Sequence, residues 1–203
     1  MADGAVNLGG VVGGRQFDGT VARTGTGRAS EEASLAAGHA GTLSTRTDAN
    51  TGVVTVASHA ITTQDKVGLF WSGGSRRGMT VTAVTGTTVS IDVGSGTDLP
   101  AASTAAVVCA ETTLDIDFAG DTTYQAVAQA SGRATFSFQQ GGGTEVIAVE
   151  LNSSGQANEF WEWHTCATGG TTNPFAGVTV GQVVVSNGDS SSAVTVRVGV
   201  VKA

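Results

Sequence analysis

The chain is 203 residues long, with 40% hydrophobic residues, only 13% charged residues and a formal net charge of −7. That length is enough to bury a core, as one large β domain or two small ones, and the hydrophobic share excludes a disordered chain. That negative balance, with Lys66 and Lys202 the only lysines, makes the chain a poor candidate for non-specific nucleic-acid binding built on cations against phosphates.

No long apolar run occurs, so no membrane span is expected. The opening MADGAVNLGGVVGG lacks the basic and apolar regions of a signal peptide, and none is expected. Thr and Val recur, with 30 glycines and 2 prolines. That is the composition of many short strands joined by glycine turns.

Residues 1–28 are rich in Gly, Ala and Thr and carry Arg15, Arg23 and Arg28. Two readings stand: a flexible tail, or an arm that orders over a neighbouring subunit. Residues 29–38 hold the one candidate helix, with Ser30 as cap and Glu31 and Glu32 in its first turn. A run this short and Ala-rich reads equally as a strand.

From Leu43 to Cys109 the chain reads as a series of strands. They are Thr42–Thr47, Val53–Ala57, Lys66–Ser72, Met79–Thr85 and Thr88–Val93, closed by Val107–Cys109. In the third, Val67, Leu69 and Trp71 share one face, Gly68 and Phe70 the other. Gly86-Thr87 is a hairpin connection, with Val81 and Ala83 opposing Thr80 and Thr82.

Residues 112–203 read as a second β unit. Its strands are Thr113–Phe118, Tyr124–Ala128, Ala134–Phe138, Glu145–Leu151, Glu159–Cys166, Gln182–Ser186 and Ala193–Val201. Asn187-Gly188 is a turn signal between the last two. In Ala193–Val201, the valines at 194, 196, 198 and 200 share a face. The expected fold is therefore all-β: an extended N-terminal arm (1–40, with room for one short helix), a small β-barrel-like module (41–111) and a β-sandwich or jelly-roll-like unit (112–203).

Each constellation that could carry chemistry has a plainer structural reading. His59 and Asp65 could be an acid–base pair or metal ligands. More simply, Asp65 with Thr62 or Thr63 satisfies backbone N–H groups in a turn, and His59 bonds nearby backbone. Asp115 and Asp117, on one strand face, could hold Ca²⁺ but equally face water. Trp161 and Trp163 alternate against Phe160, Glu162 and His164. They suit a core, a subunit interface or a sugar-stacking platform. The three histidines, His39, His59 and His164, show no ligand spacing. Cys109 and Cys166 are read as reduced thiols near the core or as one long-range disulfide. No catalytic residues, metal or cofactor are expected, and the chain is read as not an enzyme.

One stretch resembles a known group. It comprises Gly41 to His59, Ile61-Thr-Thr-Gln-Asp-Lys-Val67, Trp71-Ser-Gly-Gly74 and Gly94-Ser-Gly-Thr-Asp-Leu-Pro100. It resembles the β-modules of tailed-bacteriophage virion structural proteins, which often carry an H-G-h-x-x-G-D-x-V turn before a strand. Here Ala60 and Gln64 replace the two glycines of that turn. The resemblance covers about a third of the chain. It implies a non-enzymatic virion protein that decorates or cements the capsid by contacts with neighbours, with a tail or baseplate glycan-binding module as the alternative. The partners implied are the major capsid protein or other virion proteins and further copies of the chain, a trimer by preference. Trp71, Phe160, Trp161, Trp163, Arg15, Arg23 and Arg28 are the candidate interface residues.

Overall fold

A computed structural model describes residues 11–12, 15–16, 27–95, 99–116, 123–140, 143–153, 158–164, 174–175 and 178–202. Among them there is no helix. A small ribbon pairs β1 (Val11–Val12) with β2 (Arg15–Gln16). Then come β3 (Gly27–Leu35), β4 (His39–Arg46), β5 (Thr51–Val56), β6 (Lys66–Trp71), β7 (Gly74–Thr85), β8 (Thr88–Asp92) and β9 (Thr104–Ala110). The remaining strands are β10 (Thr112–Asp115), β11 (Thr123–Ala130), β12 (Ala134–Gln140), β13 (Glu145–Leu151), β14 (Phe160–His164), β15 (Val180–Asn187) and β16 (Val194–Lys202).

Six strands close a barrel in the order β4-β5-β8-β7-β6-β9. Their inward residues alternate as a pleated strand requires. Leu43, Val54, Val56, Val67, Leu69, Met79, Val81, Val89, Ile91 and Val108 fill the interior, with Ile61 and Leu99 added from connections. A register shift between Val81 and Ala83 breaks the expected alternation of β7, and Ala83 is exposed with Thr82. A bulge of this kind turns the following residue off the core face.

The other unit is a two-layer sandwich with sheets β10-β15-β12-β13 and β14-β11-β16-β3. Phe136, Phe138, Val183 and Val185 face Ala126, Ala128, Val196 and Val198 across the core. The valines of β16 do share a face: Val194, Val196, Val198 and Val200 are all buried.

One open reading is decided here and one expectation changes. Residues 27–35 are a strand, not a helix, paired with β16 along its length from Gly27↔Lys202 to Leu35↔Val194. That ladder supplies partners a two-turn helix would lack, and it makes these residues the edge strand of the sandwich rather than part of a free arm. Asn187-Gly188 is not a hairpin turn, because β15 and β16 belong to different sheets. Asn187 is instead a buried clasp. Its amide donates to the carbonyls of Ala36 (2.8 Å) and Ser192 (3.1 Å), and its Oδ1 accepts the Asp189 N–H at 2.7 Å.

The barrel docks on the outer face of the β10-β15-β12-β13 sheet through β6 and β9. Val67 and Leu69 point into the barrel, while Gly68 and Phe70 are buried on the opposite side. A Cβ on Gly68 would meet Ser186 Oγ at 2.8 Å, and a Cβ on Gly188 would meet the Phe70 ring at 2.5 Å. Beside them Thr135 and Ser186 share a buried hydroxyl hydrogen bond of 2.6 Å.

Candidate functional site

The sequence of β13, E-V-I-A-V-E-L, places a glutamate on either side of a four-residue apolar run. Directly opposed residues in an antiparallel pair share a face. Ile147 opposes Phe138 and Val149 opposes Phe136, so they lean on the sandwich core. Ala148 opposes Ser137 and Glu150 opposes Thr135, so that face meets the barrel.

Both glutamates are drawn into the seam with the barrel. Arg77 holds Glu145 bidentately, Nε at 2.7 Å and Nη2 at 2.6 Å, and Ser137 Oγ donates to the same carboxylate at 2.6 Å. The Arg77 hydrogen bond is the main reason the Glu145 carboxyl lies below its ordinary pKa. Glu150 accepts from Arg133 Nε at 2.8 Å and from Ser75 Oγ. The same guanidinium donates to the carbonyls of Trp71 and Gly74, both at 3.0 Å, and lies 5.2 Å from the centroid of the Phe70 ring.

A cleft of about 270 Å³ opens at this seam, lined by Arg76, Arg77, Glu111, Ser137, Gln139 and Glu145 among others. Glu111 accepts the Gly78 N–H at 2.7 Å, yet burial raises its carboxyl above the ordinary pKa. The opposed shifts of Glu111 and Glu145 reflect their surroundings: one is desolvated, the other clasped by a guanidinium.

Between these two paired carboxylates, β13 presents half-buried Val146, Ile147, Ala148 and Val149 at the end of its sheet. No strand among the described residues pairs with its outer edge. The other long edge, β3, differs: Ser30, Glu31 and Glu32 are exposed along it. The remaining edges are short, β10 with four residues and β14 with five. Charge and shortness are the usual protections of a sheet edge; β13 is seven residues long, and its exposed charge, Glu145, is paired with Arg77.

The residues singled out from sequence scatter. Trp163 is buried in the sandwich core against Phe175, ring centroids 4.9 Å apart. Trp161 is half-buried against Phe138 at 5.4 Å, and Phe160 is half-buried beside it on β14. The tryptophans thus form no exposed pair, because both lie on the core-facing side of β14. Trp71 is half-buried against the barrel core, its indole over Gly73 and Gly74. Arg15 lies in β2 and Arg28 in β3, whereas Arg23, Asp117 and Cys166 lie outside the described residues. Cys109 is a free, buried thiol whose pKa burial pushes up to about 12.

Asp65 shapes its turn as expected. Its Oδ2 accepts from the Thr62 N–H at 2.7 Å and the Thr62 hydroxyl at 3.0 Å. His59 does not follow: neither ring nitrogen has a hydrogen-bond partner among the described residues, and both are buried. Its ring lies 6.3 Å from that of His39, whose pKa is lowered by burial and, secondarily, by His59. The described residues bring no group of three or more His, Cys, Asp or Glu together.

The seam residues Arg133, Glu150, Arg77 and Glu145 were not visible as a set from sequence, since they meet only through pairing across 17 to 68 positions. The flanking glutamates of an otherwise apolar strand were the available signal. Comparison of the chain with protein families, curated proteins and solved structures finds no match.

Proposed function

We propose that this chain is a non-enzymatic structural protein of a tailed-phage particle, decorating or cementing the capsid through contacts with neighbouring subunits. The observation that carries the reading is the unguarded edge of β13, where an apolar strand ends a sheet with its two carboxylates held by Arg77 and Arg133. Such an edge offers backbone hydrogen bonds and apolar area to another chain, which is how a protein with few surface charges can associate. Repetition around a symmetric shell makes weak contacts of this kind collectively strong. The glycan-binding alternative needs Trp163 exposed, and its burial argues against that reading.

The test is the stoichiometry of the chain on purified particles and its association state in solution. Tens to hundreds of copies per particle fit a cement protein on a symmetric shell, while a handful would move it to the tail. Ala148→Lys, which sets a charge beside the β13 edge, is expected to weaken self-association in analytical ultracentrifugation; because Ala148 faces the barrel, a melting curve of the variant separates lost association from disturbed docking. A wild-type chain that stays monomeric at high concentration and does not bind particles would overturn the proposal.

A further inference from the structure

His39 and His59 stand twenty positions apart in sequence, yet the barrel brings them to one end. His39 opens β4, and Gly41 pairs with Val56 at the close of β5, so the connection carrying His59 starts beside the first residues of β4. His39 also shares its strand face with Gly41 and Leu43, the face that lines the barrel. The two rings meet there edge to face, with centroids 6.3 Å apart and an interplanar angle of 69°.

An imidazole with both nitrogens buried and unpartnered is costly, since each buried donor or acceptor without a partner forfeits its hydration. Aromatic packing does not settle that cost. A cation does, because it takes a nitrogen lone pair and joins the two rings.

We propose that His39 and His59 form a binding site for a divalent transition-metal ion at this end of the barrel. Imidazole nitrogens suit Zn²⁺, Cu²⁺ and Ni²⁺ rather than Mg²⁺ or Ca²⁺. Two imidazoles on one ion, with metal–nitrogen distances of about 2.0–2.1 Å, hold their centroids roughly 5–6 Å apart. The observed centroid separation, 6.3 Å, lies just beyond that range. No third His, Cys, Asp or Glu joins them among the described residues, so water completes the coordination. The site is an open one that ties the connection between β5 and β6 to β4, unlike the closed four-ligand sites that fold a domain.

The experiment titrates untagged full-length protein with Zn²⁺ alone against a chromophoric chelator, and follows the imidazole nitrogens by NMR. One equivalent is expected to bind, with resonances of both His39 and His59 shifting together. His39→Gln and His59→Gln should each weaken binding by roughly tenfold or more, and His164→Gln should leave it unchanged. Wild-type spectra without a saturable shift, which would mean that water alone serves the ring nitrogens, overturn the proposal even if a variant fails to fold. So does binding that survives His39→Gln.

Discussion

Phe70 and Gly188 lie so close that the smallest side chain on the glycine would collide with the ring: a Cβ there would sit 2.5 Å from Phe70 Cδ1 and 2.8 Å from Cε1. Gly188 follows the buried clasp Asn187, and its N–H donates to the Arg133 carbonyl at 2.8 Å, so its backbone is not free to retreat. Barrel and sandwich meet at this point, and the fit requires glycine. Gly188→Ala is therefore expected to destabilise the protein by about 1–3 kcal/mol, the usual range for overpacking. Pairing it with Phe70→Leu should recover part of the loss. A double-mutant cycle by chemical denaturation measures the coupling, and strictly additive effects would count against the contact.

Arg133 is the second tie across the seam, binding Glu150, two barrel carbonyls and the Phe70 face at once. Glu150→Gln leaves that guanidinium partly buried without its counter-ion; the pair is only about a fifth exposed, 20% and 21%. We expect a loss of roughly 1–3 kcal/mol, the range for stranding a buried hydrogen-bonding group. Wild-type protein should unfold in one transition seen alike by tryptophan fluorescence, to which Trp71 of the barrel and Trp161 and Trp163 of the sandwich contribute, and by far-ultraviolet circular dichroism. Separate transitions in the wild type would show that the seam does not couple the two units.

The two seam carboxylates give opposite pH dependence. Glu145 has a depressed pKa in the folded state, owing first to Arg77. Its stabilising contribution is present above the unfolded carboxylate pKa and is lost as pH falls through the folded value. Glu111 is raised by burial, so its contribution is full below the unfolded pKa and is lost as pH rises through the folded one. Between about pH 7 and pH 3, the stability gap between wild type and Glu145→Gln should shrink, while Glu111→Gln should compare better with wild type at the neutral end. Melting curves of the three proteins across that range decide it; parallel pH profiles would contradict the assignment.

How far the sequence could be read depended on which contacts decide each strand. β5 and β8 show clean alternation, Val54 and Val56 then Val89 and Ile91, because one face is core and the other solvent. β6 alternates weakly for a physical reason: both of its faces are buried, Val67 and Leu69 in the barrel and Phe70 against the sandwich. Residues 27–35 carry good local helix signals, and only pairing with β16, more than 150 positions away, makes them a strand. Asn187-Gly188 is a sound turn signal locally, but the chain changes sheets there. The meeting of Arg77 with Glu145 depends on docking of the barrel on the sandwich, which no local pattern encodes, and that of His39 with His59 rests on the register of the β4–β5 pair. Asp65 was legible because its partner, Thr62, is three residues away.

Cys109 supplies the last test. Its thiol is buried on β9 on the side away from the barrel core, near Gly68, and desolvation pushes its pKa up to about 12. The thiolate is the reactive species, so at neutral pH Cys109 is held as an inert thiol. Native protein treated with iodoacetamide should show no modification at Cys109 by peptide mass spectrometry, and full modification once denatured. The same residue reports on the seam: Gly188→Ala should open it and speed labelling of Cys109 relative to wild type under native conditions. Rapid labelling of the untouched wild type would mean that this side of β9 is not sealed.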